Sequence, residues 1–196
     1  MKNLIVKFLP IAALIFTSCG AEDYVPKPHG LVHIDLPAHD YQLLNETGKP
    51  YSFEYSKFAN TENDTTNWKS IKDKYKVIDY TQFGGKVYLT YKEIHNSVDT
   101  LNSLIDESYR LAYGHDKMAY GIEDKVMVTT NGNRATMISI SGDVPSQYQF
   151  FTHDSTQHFL RGALYFPLAD KNDSLRPVIN YIQEDIHHLI NTLVWK

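Results

Sequence analysis

One cysteine, Cys19, stands in 196 residues, so the chain holds no second thiol for an internal disulfide. Positive charge is not in excess. Nineteen Lys and Arg face 23 Asp and Glu, a net −4 at pH 7 that argues against a nucleic-acid partner. No apolar run reaches the ~20 residues a helix needs to cross hydrocarbon; the stretch from Leu4 to Phe16 falls short and contains Lys7 and Pro10. Internal repeats and low-complexity arrays are missing as well. Aromatic residues, by contrast, are plentiful: 14 Tyr and 9 Phe mark a folded, aromatic-rich domain rather than a disordered tail.

The short apolar run has the form of an export signal. Lys2 gives a positive start, Leu4–Phe16 the apolar stretch, and Thr17-Ser18 the small residues before the cut. Thr17-Ser18-Cys19 resembles a bacterial lipobox, with Phe16 departing from the usual leucine. A lone thiol in an oxidising compartment is a liability that acylation removes. Cys19 is therefore the expected lipidation site, residues 1–18 the signal peptide, and residues 19–29, with Pro26 and Pro28, an extended tether. Cleavage removes Lys2 and Lys7 and no acid, leaving 178 residues with 17 basic and 23 acidic side chains, net −6. That length suits one domain, residues 30–196, held to a membrane by two or three acyl chains.

Within the domain, Leu31, Ile34 and Leu36 predict a first strand ended by Pro37. The alternation in Tyr51–Tyr55 predicts a second, and Thr61–Asn67 reads as a polar loop. Tyr75–Tyr80 and Lys86–Tyr91 form a hairpin around Phe83-Gly84-Gly85. Leu101, Leu104, Ile105, Ser108, Leu111 and Ala112 recur at helical spacing, with Ser97 to cap the start and Gly114 to end the helix. Ile122–Thr129 and Arg134–Ser141 flank Asn131-Gly132, a type I′ hairpin signal. Tyr148–Thr152 and His158–Phe166 form another hairpin, whose second strand is apolar on both faces and therefore central. Val178, Ile182, Ile186, Leu189 and Leu193 make the stripe of a last helix, capped by Asp173 or Ser174, with Pro177 in its first turn. The expected fold class is α+β, an antiparallel sheet flanked by two long helices. The element order resembles the Mog1/PsbP-like sandwich.

Several constellations invite a chemical reading. His153, Asp154, Ser155 and His158 have the residue types of a triad, yet Ser155 lacks the Gly-x-Ser-x-Gly elbow, and the segment reads as a turn shaped by local hydrogen bonds. His187 and His188 are adjacent on a helix and cannot both face one ion; Glu184 has the right spacing to either, but no third ligand is evident, so no metal and no cofactor are expected. Gly84-Gly85 is not a phosphate loop, since no helix with a Lys follows. Four Asp-Ser/Thr segments resemble the O-glycosylation sequon of exported Bacteroidota proteins: those at Asp64, Asp99, Asp154 and Asp173. Thr65, in the polar loop, is the candidate site among them.

The chain resembles, over its whole mature length, the gliding-motility lipoprotein GldD family of the Bacteroidota. The matching segments include Tyr24-Val25-Pro26-Lys27-Pro28, Ile34-Asp35-Leu36-Pro37, Pro50–Tyr55, Phe150–Thr156, His158–Phe166 and Asp185–Lys196, the block around Arg161 being the most specific. In that family cysteines usually stand near the positions of Lys49 and Lys74, and prolines near those of Ser56 and Thr81. A staple between two strands is then missing, and the core must hold without it. The resemblance implies a membrane-anchored envelope component of gliding motility and the associated type IX secretion machinery, facing the periplasm, with no catalytic activity. Its expected partners are the membrane and other motility or secretion proteins. Glu22 and Asp23 beside Cys19 loosely resemble surface-export signals of that phylum. Arg161, alternating with aromatics, and Tyr165 are the expected interaction residues. A ligand- or glycan-binding domain, and an envelope hydrolase using Ser155, are the alternatives.

Overall fold

The structure is a computed structural model that describes residues 34–63, 75–114, 118–167 and 172–196. In chain order the strands are β1 (Tyr41–Leu44), β2 (Tyr51–Ser56), β3 (Asn60–Asn63), β4 (Tyr75–Tyr80), β5 (Gly85–Glu93), β6 (Ala119–Val128), β7 (Arg134–Gly142), β8 (Tyr148–His153), β9 (His158–Tyr165) and β10 (Val194–Trp195). Helix α1 (Val98–Tyr113) lies between β5 and β6, and helix α2 (Asn172–Thr192) between β9 and β10. Seven strands join in the order β3-β4-β5-β9-β8-β7-β6, and a small sheet joins β1-β2-β10. Every pairing is antiparallel. The expected α+β class with two long helices is what is found.

β9 is the middle strand of the seven, bonded to β5 on one side and β8 on the other. Its alternate residues enter two separate cores. Leu160, Leu164 and the following Phe166 join Val87 and Leu89 of β5, Phe150 of β8, and Val178, Ile182, Ile186 and Leu189 of α2. Leu44, Tyr51 and Phe53 of the small sheet complete that core. On the opposite face Phe159 packs with Ile138, Ile140 and Phe151 beneath Leu101, Leu104, Ile105 and Tyr109 of α1. A strand buried on both faces needs a cover on each, and the two amphipathic helices supply them.

Several local expectations change. No strand forms at Ile34–Leu36: both side chains pack on the core while their backbone finds no ladder, and residues 31–33 lie outside the described residues. The polar stretch from Thr61 begins as a strand instead of a loop, because β3 pairs with β4 as the outer strand of the sheet. Gly132 alone takes a positive φ, +79°, and its N–H reaches the Thr129 carbonyl at 3.0 Å, so the β6–β7 connection is a type I turn with a glycine bulge and not type I′. Leu111 is 41% exposed and off the packed face of α1. Ser97 does cap α1, accepting from the Thr100 N–H, while Gly114 ends it in a right-handed conformation, φ −61°. Helix α2 starts at Asn172, which puts Asp173 and Ser174 inside it and makes Pro177 its sixth residue, past the first turn. The small sheet and β10 were not expected.

Gly162 marks the tightest place in the sheet. A Cβ there would lie 2.1 Å from the Phe150 ring, which fills the space above it. Gly162→Ala is expected to destabilise the protein by about 1–3 kcal/mol through overpacking, read as a lowered denaturation midpoint, and Phe150→Leu in the same chain to restore part of the loss.

Candidate functional site

On the α1 side of the large sheet, β-pairing sets residues in rows. Thr90 lies between Tyr75 and Arg161, with Phe151 next across β8; Tyr88 lies between Val77 and Ala163, with Gln149 next. Helix α1 packs over the β6–β9 part of this face and reaches β5 through Glu107 and Lys92. The β4–β5 part forms the floor of a cleft of about 630 Å³, whose lining includes Tyr75, Lys86, Tyr88, Arg161 and Tyr165. A smaller hollow of about 210 Å³ beside α1 shares Tyr75, Thr90 and Arg161 with it. Tyr88 and Tyr165 meet edge to face at 5.6 Å. The structure thus brings both expected interaction residues, Arg161 and Tyr165, to one concave surface.

Arg161 is half-buried and donates from one terminal nitrogen to Gln149 Oε1 at 2.6 Å. Burial pushes its pKa down, opposed by Tyr165 and Glu107. Among the described residues no carboxylate lies within ion-pair distance. Glu107 of α1 is held by Lys92 at 2.6 Å, and Lys86 across the cleft is held by Asp79 at 2.6 Å. Gln149 is 2% exposed, and with its oxygen turned to Arg161 its Nε2 has no partner among the described residues.

The His153–His158 segment is the expected turn. Asp154 Oδ1 accepts from the backbone N–H groups of Thr156, Gln157 and His158 at 2.8–2.9 Å. Ser155, at φ +71°, places Oγ 3.2 Å from His153 Nδ1. His153 stacks on Phe159, and burial lowers its pKa. His158 faces Tyr91 and Trp195 instead. Asp154 therefore shapes the turn and does not orient His153, so it is not the third member of a triad with Ser155 and His153. The three helical metal candidates also diverge: His187 meets the Tyr148 hydroxyl at 2.8 Å, His188 meets Glu54 at 2.7 Å, and Glu184 meets His39 at 2.8 Å.

One polar cluster escaped the sequence reading. Asp185, 1% exposed, meets His39 Nδ1 at 2.6 Å and accepts from the Tyr80 hydroxyl at 3.0 Å, while the other His39 nitrogen meets Glu184. Burial and Asp185 push the Tyr80 pKa well up. His39 stacks on Tyr181 at 4.2 Å and Tyr41 stacks on His188 at 3.6 Å. The cluster fastens residues 39–41 to α2. A carboxyl beside Ile182 and Ile186 on an apolar helix face was its one sequence signal.

A family model described as gliding motility lipoprotein GldD matches residues 21–195. The chain belongs to that family. Membership associates it with gliding motility and, as a lipoprotein, with the cell envelope. No curated protein matches it. Among solved structures it is similar to cyanobacterial PsbP (CyanoP) from Synechocystis sp. PCC 6803, at 12% identity and TM-score 0.46, over 86% of this chain and 99% of that one. It is also similar to the Saccharomyces cerevisiae Ran-binding protein Mog1p, at 7% identity and TM-score 0.48, over 81% and 96%. The expected lipidation site Cys19 and the candidate glycosylation site Thr65 lie outside the described residues, as does Lys74. Among the described residues no helix is long and apolar enough to cross a membrane.

Two measurements test these assignments. Asp185→Ala leaves a buried tyrosine hydroxyl without its acceptor and is expected to cost about 1–3 kcal/mol, whereas Glu184→Ala, at the exposed side of His39, is expected to cost at most about 0.5 kcal/mol. For Asp154, burial alone would raise the carboxyl pKa, but the three backbone donors outweigh it and hold it below its ordinary 3.8. Its stabilisation is complete above the unfolded pKa and is lost as pH falls through the depressed folded value. Asp154→Asn should therefore lower the denaturation midpoint at neutral pH and flatten its fall below about pH 4.

Proposed function

We propose that the chain is a non-catalytic, lipid-anchored assembly component of gliding motility and of the associated type IX secretion machinery. Acylated Cys19 holds it to a membrane, residues 19–29 space it from the surface, and the domain from residue 30 onward faces the periplasm. The cleft around Arg161 and Tyr165 docks on other envelope proteins of that machinery. Family membership supports the setting. The observation that carries the docking role is Arg161 itself. A half-buried guanidinium bonded only to a neutral amide among the described residues is costly to fold, and an arriving partner offsets that cost. Exposed aromatic groups beside it, Tyr88 above all at 38%, are the kind of anchor that protein interfaces use.

A second reading rests on the same cleft. Its volume of about 630 Å³ lies in the range of small-ligand sites, and tyrosine rings suit sugar faces. The two readings part on what the protein carries when it leaves the cell envelope.

Cys19→Ala is expected to move the protein from the membrane to the soluble fraction and to abolish spreading motility. In-cell crosslinking of the native lipoprotein, followed by detergent purification and mass spectrometry, should recover other motility or secretion envelope proteins in near-stoichiometric amounts. A monomer recovered without partners, or Cys19→Ala cells that glide normally, would remove the assembly role and put ligand binding first.

A further inference from the structure

We propose that the cleft recognises a carboxylate on an acidic peptide segment of its partner. The carboxylate pairs with the Arg161 guanidinium, and the neighbouring apolar atoms lie on Tyr75, Tyr88 and Tyr165. This rests on the cleft being a docking face and adds the chemistry of what docks there.

Charge is the first argument. The chain is acidic overall, net −4, yet the described lining of the cleft contains Lys86 and Arg161 and no Asp or Glu. Of those two cations, Lys86 already has Asp79. Among the described residues Arg161 bonds to the neutral Gln149 oxygen and to no carboxylate, and Glu107 of α1, which acts on it electrostatically, forms its own ion pair with Lys92. A positive charge at the floor of a cleft, with no ion-pair partner among the described residues, selects an anion.

Geometry narrows the anion. A guanidinium presents five N–H donors in a planar fork, and the bond to Gln149 uses one, leaving edges that match the two oxygens of a carboxylate. A phosphate dianion calls for a second free cation or a nest of backbone N–H groups. The described lining offers neither, since its other cation is paired. Gln149 acts here as a positioning residue: buried, with its oxygen on Arg161, it fixes the guanidinium while its own Nε2 finds no partner among the described residues. The size of the cleft and its ring walls then call for a ligand larger than a lone carboxylate, which a short peptide segment supplies.

The test uses the full-length lipoprotein in detergent and an array of short tyrosine- and proline-containing peptides in matched pairs that differ only by Glu against Gln. The Glu member of binding pairs is expected to bind about tenfold more tightly. Arg161→Met should bring the ratio to about one, and Arg161→Lys, which keeps the charge and loses the fork, should leave an intermediate ratio. Tyr88→Ala should weaken both members together. If Arg161→Met does not keep a wild-type melting transition, Arg161→Lys carries the comparison. Binding with no Glu preference, a preference that survives both Arg161 changes, or no binding to any Glu peptide overturns the proposal. So does Arg161-dependent competition by short-chain phosphatidylglycerol without a Glu preference, which would assign the cleft to a phosphate headgroup. A photocrosslinker at Tyr88 in cells separates this from the assembly role. Crosslinks to envelope proteins without a Glu preference leave docking and remove the carboxylate; a Glu preference without crosslinks does the reverse.

Discussion

The rest of the architecture depends on one constraint, the burial of β9 from both sides. A strand in the middle of seven, with large apolar groups alternating to each face, cannot stay folded with either face wet; each such side chain is worth about 1.5–3 kcal/mol when buried. Helix α2 and the small sheet enclose one face, and α1 encloses the other over β6–β9. Because α1 is one helix laid on a broad sheet, it meets β5 near Lys92 through Glu107 and leaves the surface over Lys86 and Tyr88 open. The cleft is the remainder of that geometry, and Arg161 stands at the line where cover gives way to opening.

Two buried charged groups, one on each face, are met differently. On the α2 side, Asp185 is enclosed and answered from two directions, by His39 and Tyr80, which makes it a fastening. On the α1 side, Arg161 has one hydrogen-bond partner among the described residues, an amide whose own Nε2 finds none there. Buried polar groups in folded proteins are ordinarily matched. A mismatch at the floor of an opening, and not in a closed core, places the deficit where a second molecule can reach it.

What could be read from the sequence follows the range of the interactions concerned. Hairpins and helices depend on neighbours within a few residues, so the alternation in Tyr75–Tyr91 and the stripe from Val178 to Leu189 disclosed them, as did the centrality of the His158–Phe166 strand. β10 could not be seen that way, since two residues, Val194 and Trp195, become a strand only by meeting Ser52 and Tyr51. The polar β3 is likewise a strand only through β4. Arg161 and Tyr165 stood out because they alternate with apolar residues in a core strand. His39 and Asp185 are 146 positions apart, and no local pattern joins them. Setting came from family motifs, which carry history that periodicity does not.

The fastening at His39 has a mechanical side. Tension arriving along the preceding chain would meet the core contacts of Ile34 and Leu36 and then the fastening formed by His39 and Tyr41. Those two residues hand the load to α2 through Asp185, Glu184 and the ring of His188. The helix lies along the main core, with Ile182, Ile186 and Leu189 buried in it. A pull on the leading segment would thus be spread over a long packed helix, on the face of the sheet opposite the cleft.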